Sequence, residues 1–340
     1  MPAFCNGDYP AMDLMHAGLI RKHTCANSNV CDYWIVGDES PYFKEHRRDK
    51  MRSESEMYQL ILNIAEEDER IHAVYMNGSR TNENVPKDIF QDYDIVYVVT
   101  DTRPFIEDKT WIDRFGERLF MQYPDESPDC PSDKENFYGW LMQFADGNRI
   151  DLHVESVTHA KENILCDKLC RILLDKNGVL PQISKSTDED YWVKRPSTEQ
   201  YLCTCNEFWW CLDNVAKGLW REEITYVQDM LNFPVRKQLE KVLSWKIGID
   251  TDFSVSIGKS GKYMYKWLSE QEWKAYLETY AAGTVEDCWQ AVEKMCSLFE
   301  TTAIWVGNQL KYQYNSEEGE NCRKFLKHVR NLPKDAEVIY

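Results

Sequence analysis

The chain has 340 residues, 43% of them hydrophobic and 13% aromatic, which is enough to bury a large interior and argues against global disorder. This length exceeds one typical compact core and predicts two domains. The formal net charge of −17 repels nucleic-acid phosphates, and no local basic patch offsets it, so we expect no nucleic-acid partner. An acidic surface favours a cationic ligand instead.

Hydropathy and cysteine usage predict where the chain resides. No run of about 18 apolar residues is present, so no membrane span is predicted. The N-terminus has no charged segment followed by a continuous apolar core, so it does not resemble a secretory signal. We therefore expect a cytoplasmic protein whose 12 cysteines are reduced. Because no C-x-x-C pair occurs, buried apolar thiols are favoured over a zinc site.

Residues 1–50 differ from the rest of the chain. They contain polar turns and little sustained periodicity, and they end in a charge run. From Met51 onward, "MRSESEMYQLILNIAEEDER" predicts an amphipathic helix that Ser53 or Ser55 caps. Its apolar face holds Met57, Leu60, Ile61 and Ile64. We predict that residues 1–50 are an N-terminal extension, dispensable for folding and activity, and that the compact protein starts near Met51.

The next segments predict an α/β arrangement. "IHAVYMNG" (71–78) and "DIVYVVTD" (94–101) are apolar runs of strand length. "THAKENILCDKLCRILLDKNG" (158–178) predicts a helix that Gly178 closes.

Between these segments, "GWLMQFADGNRIDLHVES" (139–156) predicts a β-hairpin. Its turn contains Asp146-Gly147, the dipeptide that type I′ turns prefer. Because alternate residues of a strand share a face, Asp151 and His153 lie opposite the apolar side chains of the second arm. Those apolar side chains are Ile150, Leu152 and Val154.

Beyond a Pro-, Ser- and Thr-containing linker (179–200), the pattern becomes helical and rich in Trp. Residues 287–314 place one apolar stripe at helical spacing, which suits a helical bundle. The stripe comprises Trp289, Val292, Cys296, Phe299, Ala303, Val306 and Leu310. The predicted fold class is α+β, with a mixed β-sheet flanked by helices over 51–185 and an α-helical bundle domain over 186–340.

Asp92 and Asp94 stand at the start of an apolar run, where carboxylates resist burial. Residues two apart in a strand point to the same side, so the two charges repel each other unless a cation lies between them. Mg²⁺ suits them because it prefers oxygen ligands and is commonly held by carboxylates together with substrate phosphates. Asp151, on the polar face of another predicted strand, is the candidate third carboxylate.

Gly78 and Ser79 end the strand before this pair of acids. Backbone N–H groups and a hydroxyl at such a turn suit phosphate oxygens, and Arg80 is placed to neutralise phosphate charge. An Asp-x-Asp or a Gly-Ser pair alone more often marks a turn or a solvated surface. In this order, and on predicted strands, the set favours phosphoryl or nucleotidyl transfer, where positioning and charge neutralisation carry most of the catalysis.

These motifs resemble the signature of the DNA polymerase β-like nucleotidyltransferase superfamily, which is Gly-Ser, a spacer, Asp-x-Asp and a later strand Asp. More narrowly, the chain from Met51 to near the C-terminus looks very close to the aminoglycoside 6-adenylyltransferases, which inactivate streptomycin. "WIDRFGERLFMQ" and "WREEITYVQDMLN" belong to this likeness, whereas residues 1–50 do not.

The resemblance implies AMP transfer from ATP to a streptomycin hydroxyl, with release of pyrophosphate and hence antibiotic resistance. It makes 51–185 a nucleotidyltransferase catalytic domain and 186–340 a helical substrate-binding domain. Gly78, Ser79 and Arg80 would then meet the triphosphate. Asp92, Asp94 and Asp151 would bind Mg²⁺ and form the catalytic set, with Asp151 as metal ligand or as general base toward the hydroxyl. Which group is the base stays open.

Streptomycin carries two guanidinium groups, so its pocket should contain acids and aromatic faces. Glu222 and Glu223, in "WREEITYVQDM", are the candidate drug-binding acids; the alternative is a solvated helix face beside Arg221. Trp209 and Trp210 are expected in the bundle core rather than in a drug pocket.

Three functions remain open. The first is streptomycin adenylylation, and the second is the same chemistry on another aminoglycoside or on a protein hydroxyl. The third is a catalytically degenerate binding module, against which the presence of all three motif carboxylates argues. The segment "SIGKSGKY" (256–263) does not make a P-loop, because Phe253 stands where that motif needs a Gly. We expect a surface turn there.

Overall fold

The computed structural model describes residues 50–129 and 131–340, together with the two short strands Ile20–His23 (β1) and Tyr33–Val36 (β2). These two strands pair antiparallel in a sheet of their own. The predicted extension, residues 1–50, otherwise lies outside the described residues apart from Lys50.

The first helix begins where the sequence predicts. Helix α1 (Glu54–Glu67) follows Ser53, whose hydroxyl accepts from the Glu56 backbone while the Glu56 carboxylate accepts from the Ser53 N–H. This capping box satisfies two backbone donors that would otherwise lack partners. The helix buries Met57, Ile61 and Ile64, and Leu60 is partly buried against the same core, so the predicted amphipathic face is confirmed.

Six strands form the main sheet, in the order β5-β6-β7-β4-β3-β8. Their bounds are β3 (Ile71–Asn77), β4 (Tyr93–Val99), β5 (Arg118–Gln122), β6 (Phe137–Phe144), β7 (Arg149–Ser156) and β8 (Cys170–Asp175). Strands β4 and β7 are parallel, whereas β3–β4, β5–β6 and β6–β7 are antiparallel, so the sheet is mixed. Two short helices accompany these strands, α2 (Arg103–Glu107) and α3 (Val157–Asn163).

The β6–β7 hairpin is confirmed, but its turn is not type I′. Type I′ needs a positive φ at both central residues, whereas in this turn Gly147 alone has one, at 95°. The Gly147 N–H donates to the Phe144 carbonyl, so Ala145 and Asp146 are the central residues, and Gly147 follows them. Asp146 instead accepts from Arg52 at 2.6 Å and is used in tertiary bonding.

The predicted helix over residues 158–178 is wrong in its second half. Helix α3 ends at Asn163, and β8 takes up part of the remaining apolar run at the edge of the sheet, beside β3. A short apolar run fits either a buried helix or a strand, and here pairing with β3 decides the outcome. Gly178, with φ 61°, lies in the turn after the strand instead of ending a helix.

The C-terminal region is helical, as predicted. Its longer elements are α4 (Thr198–Arg221), α5 (Ile224–Met230), α6 (Arg236–Asp250), α7 (Glu270–Leu277), α8 (Val285–Leu310) and α9 (Ser316–Arg330). Every residue of the stripe predicted on 287–314 is buried in α8, so that prediction is confirmed. The α+β fold class is therefore confirmed.

Contacts divide the described residues into two compact units. The first runs to Arg80 and adds Pro86–Asn163 and Ile172–Gln182; the second comprises Thr81–Val85, Ile164–Arg171 and Ile183–Tyr340. Each has its own hydrophobic core. None of the helices in the described part of the chain has the length and apolar character needed to cross a membrane.

Candidate active site

Adjacent strands bring three aspartates together at one end of the sheet. Asp94 of β4 and Asp151 of β7 are direct partners in the parallel register, and Asp92 lies just before β4. One carboxylate oxygen from each residue lies within 4.8 Å of the other two. Over residues 50–129 and 131–340, no other group of three His, Cys, Asp or Glu side chains is arranged in this way. The structure therefore brings these three acids together, as the sequence predicts.

Asp94 has the most perturbed electrostatics of the three. Burial raises the pKa of its carboxyl to about 7, and the charges of Asp92 and Asp151 act in the same direction. Arg149 and Arg80 oppose this shift. Near neutral pH the cluster therefore retains a proton unless a cation compensates its charge. Three carboxylates in this state are a donor set that fits a hard divalent cation.

Arg149 is a site residue that the sequence prediction missed. Its guanidinium donates from Nε and Nη2 to the two carboxylate oxygens of Asp151, both at 2.7 Å. The Nε also lies 3.8 Å from Asp92 Oδ2. This bidentate cation supplies the charge compensation that a metal ion would otherwise provide. The sequence feature that could have identified it is its position two residues before Asp151, which places both side chains on the same face of β7.

Gly78 is required sterically between β3 and the acids. Its φ is 75°, and a Cβ added there would lie 2.0 Å from Asp94 Oδ2. Only glycine permits this approach without moving the carboxylate. The backbone of the Gly-Ser turn thus runs directly against the metal-binding candidates.

Ser79 begins the short 3₁₀ turn Ser79–Thr81, and its hydroxyl lies 3.5 Å from the Gln91 amide. Arg80 donates to the backbone carbonyls of Asp92 at 2.9 Å and Gln91 at 2.7 Å. The guanidinium also lies 3.6 Å from the Tyr93 ring centroid. These contacts hold the backbone just before Asp94. Phosphate binding by Gly78, Ser79 and Arg80 stays a prediction.

Comparison with known proteins connects this geometry to a family. A family model described as streptomycin adenylyltransferase matches residues 51–329. The aminoglycoside 6-adenylyltransferase of Campylobacter jejuni is 40% identical over 264 residues, covering 78% of this chain and 91% of that protein. The protein of the same name from Bacillus subtilis is 38% identical, covering 78% of this chain and 93% of its own length.

The chain belongs to the streptomycin adenylyltransferase family. It is an enzyme, a nucleotidyltransferase, as the resemblance predicted. A crystal structure of an aminoglycoside 6-adenyltransferase from Bacillus subtilis is also similar, at 32% identity over 83% of this chain and 100% of that chain, with a TM-score of 0.42. The fold assignment rests on the strand order given above.

A second buried acid of this adenylyltransferase lies on the same face of β7. Glu155 is fully buried and accepts from the Tyr75 hydroxyl and the Asn163 amide, both at 2.8 Å. His159 Nδ1 approaches it at 3.3 Å. Between the two acids, the His153 ring stacks on Phe137 at 4.6 Å, and burial lowers its pKa.

The candidate drug-binding acids lie in the second unit, at the end of α4. Glu222 caps this helix with φ 61° and pairs with Lys334 at 2.9 Å, and Glu223 lies 3.8 Å from Arg221. Both side chains are exposed. Their contact with a substrate stays a prediction.

The Trp pair on α4 is divided between core and surface. Trp209 is buried, as expected, and its indole donates to the Tyr314 hydroxyl at 3.0 Å. Trp210 is 67% exposed, so the expectation that it packs in the bundle core is wrong. It follows Trp209 by one residue, which on a helix points it away from the face that Trp209 buries.

The thiols and the glycine-lysine-serine segment behave largely as predicted. Buried thiols of the helical unit have pKa values raised by burial, to about 12 for Cys205 and Cys211. Two of the described cysteines, Cys166 and Cys203, are exposed instead. The segment at Gly258 is a tight turn in which Gly258, Ser260 and Gly261 have positive φ.

Proposed function

We propose that this enzyme is an aminoglycoside 6-adenylyltransferase that transfers AMP from ATP to a hydroxyl of streptomycin and thereby confers resistance. The observation that carries the proposal is the convergence of Asp92, Asp94 and Asp151 within 4.8 Å, in a chain 40% identical to a protein of that name. In the reaction, a bond forms between the drug oxygen and the α-phosphorus. The bond from that phosphorus to the bridging oxygen breaks, and pyrophosphate leaves.

The three carboxylates would hold Mg²⁺. When bound, the ion supplies charge neutralisation for the triphosphate and for the attacked phosphorus. Gly78 keeps the backbone close to Asp94, so the turn that Ser79 begins is placed to receive phosphate oxygens. The hydroxyl proton must pass to a base, and Asp151 is the candidate that the family resemblance implies.

The charge of this enzyme favours the proposed acceptor. Streptomycin is a polycation through its guanidinium groups, and a chain with net charge −17 attracts such a substrate and repels polyanions. A nucleic-acid substrate is therefore disfavoured. Another aminoglycoside hydroxyl satisfies the same charge argument and is the second candidate acceptor.

The direct test incubates the enzyme with Mg-ATP and streptomycin and measures pyrophosphate release together with the mass of the drug. One added AMP unit per drug molecule is the expected result. Parallel reactions with other aminoglycosides and with a serine-containing protein separate the alternative acceptors. Pyrophosphate release that does not depend on the drug would contradict the proposed acceptor, and absent release with every acceptor would favour a degenerate binding module.

Asp92→Asn tests the metal assignment within the same reaction. We expect turnover to fall by on the order of 10³-fold, because one metal-binding charge is lost. Asp101→Asn is the matched control, since Asp101 flanks the other end of β4 and pairs with Arg103 at the surface. A variant Asp92→Asn that keeps near-normal activity would remove this residue from the site.

The domain assignment is part of this proposal. We propose a catalytic domain over 51–185, a substrate domain over 186–340 and a dispensable extension over 1–50; the start of the family match at residue 51 supports the first boundary. A chain starting at Met51 should remain folded and active. An insoluble or inactive product would show that the extension is needed.

A further inference from the structure

A cavity of about 350 Å³ lies within the second unit, and none of the candidate catalytic or drug-binding residues named above lines it. It is formed by three stretches of that unit, 82–85, 254–256 and 263–267, together with Asp188. Asn82 follows Arg80 by only two residues, so the chain that forms this cavity is the direct continuation of the Gly-Ser-Arg turn. Its size is within the usual range for a small-molecule site.

Asp188 is the unusual residue of this cavity. It is only 4% exposed, and all its hydrogen-bond donors are neutral. Its Oδ1 accepts from the Asn84 amide at 3.0 Å and from the Trp192 indole at 2.9 Å. Its Oδ2 receives a single long contact, 3.5 Å, from the Asn82 amide. Throughout the described residues, no Lys, Arg or His lies within the 4 Å ion-pair distance of it.

A buried carboxylate without a cation is costly, because neutral donors replace only part of its lost hydration. A carboxylate can accept about four hydrogen bonds, and Oδ2 retains unused capacity. Asp188 therefore presents a fixed negative charge at a cavity wall, with room for a further donor. A guanidinium or ammonium group is the donor that also compensates the charge.

Aromatic rings supply the second element of a cation site. Trp267 lines the cavity and is 41% exposed. The neighbouring Tyr263 ring already attracts the ammonium groups of Lys266, at 4.4 Å, and Lys262, at 5.1 Å. Lys266 also lines the cavity, and its charge opposes a second cation there. The remaining cation partners are thus Asp188 and the Trp267 face.

We propose that Asp188 and Trp267 bind a guanidinium or ammonium group of the aminoglycoside substrate. This inference rests on the proposed function, and it assigns the recognition of substrate charge to this cavity in place of Glu222 and Glu223. A carboxylate held rigid by Asn84 and Trp192 gives such recognition at little ordering cost.

Binding of streptomycin to the full-length enzyme without ATP or metal, measured by isothermal titration calorimetry, tests the assignment. Asp188→Asn should weaken streptomycin binding roughly 10- to 100-fold, which is the effect of losing one charged hydrogen bond. ATP affinity should change little. Asp250→Asn, which removes an equal charge from a surface carboxylate paired with Lys246, is the matched control and should bind as the unchanged enzyme does.

Lys266→Met provides a test of opposite sign. If the cavity receives a cation, removing the like charge of Lys266 should tighten streptomycin binding. If the cavity receives a phosphate instead, Lys266→Met should weaken ATP binding and Asp188→Asn should strengthen it, which would overturn the proposal. Trp267→Leu should weaken streptomycin binding without changing ATP affinity. This second variant tests the site even if Asp188→Asn does not fold.

Kinetics separate failure of this proposal from failure of the proposed function. If the function holds and this site is correct, Asp188→Asn should raise KM for the drug far more than it lowers kcat. Unchanged KM in an enzyme that adenylylates streptomycin would refute this site alone. If no aminoglycoside is adenylylated, calorimetric titration with methylguanidinium still tests the site. The unchanged enzyme should then give a heat of binding that Asp188→Asn abolishes. Equal heats from both would refute the site independently.

Discussion

The two ends of β7 carry buried acids on the same face, yet their surroundings differ. Asp151 lies against Asp92 and Asp94, and its one strong partner is the Arg149 side chain, which is partly exposed. Glu155, four residues further on, is fully buried and bonded to neutral donors on β3 and α3. One end of the strand thus concentrates negative charge, and the other end disperses it.

This difference separates a site from a structural network. Fixed neutral donors at Glu155 stabilise one arrangement of the strand, the helix and the sheet, and they leave little capacity for a ligand. At Asp151, like charges are held together by the register of the sheet, and Arg149 offsets only part of their repulsion, so a bound cation would lower it further. Burial of an acid alone therefore does not identify a catalytic residue; the charge of the groups around it does.

Replacing the acid at one end of β7 should lower activity, whereas replacing the acid at the other end should lower stability. Asp151→Asn should lower adenylyl transfer by on the order of 10³-fold with little loss of stability, since it also relieves repulsion of Asp94. Glu155→Gln should cost about 1–3 kcal/mol of folding free energy, because its buried donors lose a charged acceptor, with a much smaller effect on turnover. Pyrophosphate release and urea unfolding measure the two effects. A stability loss confined to Asp151→Asn would reverse the interpretation.

Gly78→Ala should lower activity by displacing a carboxylate at the end of the sheet that holds Asp92, Asp94 and Asp151 (the catalytic end). The new Cβ would overlap Asp94 Oδ2, so the carboxylate must move, and a displacement of about 1 Å can cost roughly 10²-fold in rate. Gly178→Ala is the control, because it also has a positive φ but open space around the added Cβ. It should lose only about 1–2 kcal/mol of stability through backbone strain and keep its activity. Equal activity in both variants would argue that Asp94 need not be held in place.

Much of the catalytic end could be predicted from the sequence because its signals are local. Alternation in a strand places Asp151 opposite the apolar residues, and spacing alone puts Asp92 beside Asp94. The capping serine of α1 and the apolar stripe of α8 are local patterns of the same kind. The residue pattern alone does not specify the reaction that these acids support; the resemblance to the 6-adenylyltransferases does.

What the sequence did not reveal depends on pairing between distant segments. The register of β4 with β7 decides which acid faces which, and it also places Arg149 beside Asp92. The strand β8 lies beside β3 at an edge of the sheet, a pairing that its local sequence does not specify. Asp188 looks like an ordinary linker acid until Asn84, 104 residues earlier in the chain, is found bonded to it.

Arg149→Met tests whether the catalytic end holds an internal counter-cation that a metal replaces. The guanidinium competes with a metal for Asp151, so its removal should tighten Mn²⁺ binding to the nucleotide-free enzyme roughly 10-fold, the effect of one charged hydrogen bond. The metal-free variant should melt at a lower temperature, because three acids are left without compensation. Arg103→Met, at an exposed ion pair, is the control. Titration calorimetry with Mn²⁺ measures the change, and unaltered affinity would show that Arg149 does not compete.

The smallest expected effect is a pH dependence at the same end. The folded-state pKa of Asp94 is about 7 against an ordinary value of 3.8, so the folded metal-free enzyme keeps a proton that the unfolded chain releases. Its stability should therefore fall as the pH rises from about 4 to about 7 and change no further through this group above that range. Metal affinity should move oppositely and gain up to about tenfold per pH unit below pH 7, as proton competition is lost. Asp94→Asn should remove the stability decline, whereas Glu155→Gln should retain it; a decline that persists in Asp94→Asn would assign the proton to another group.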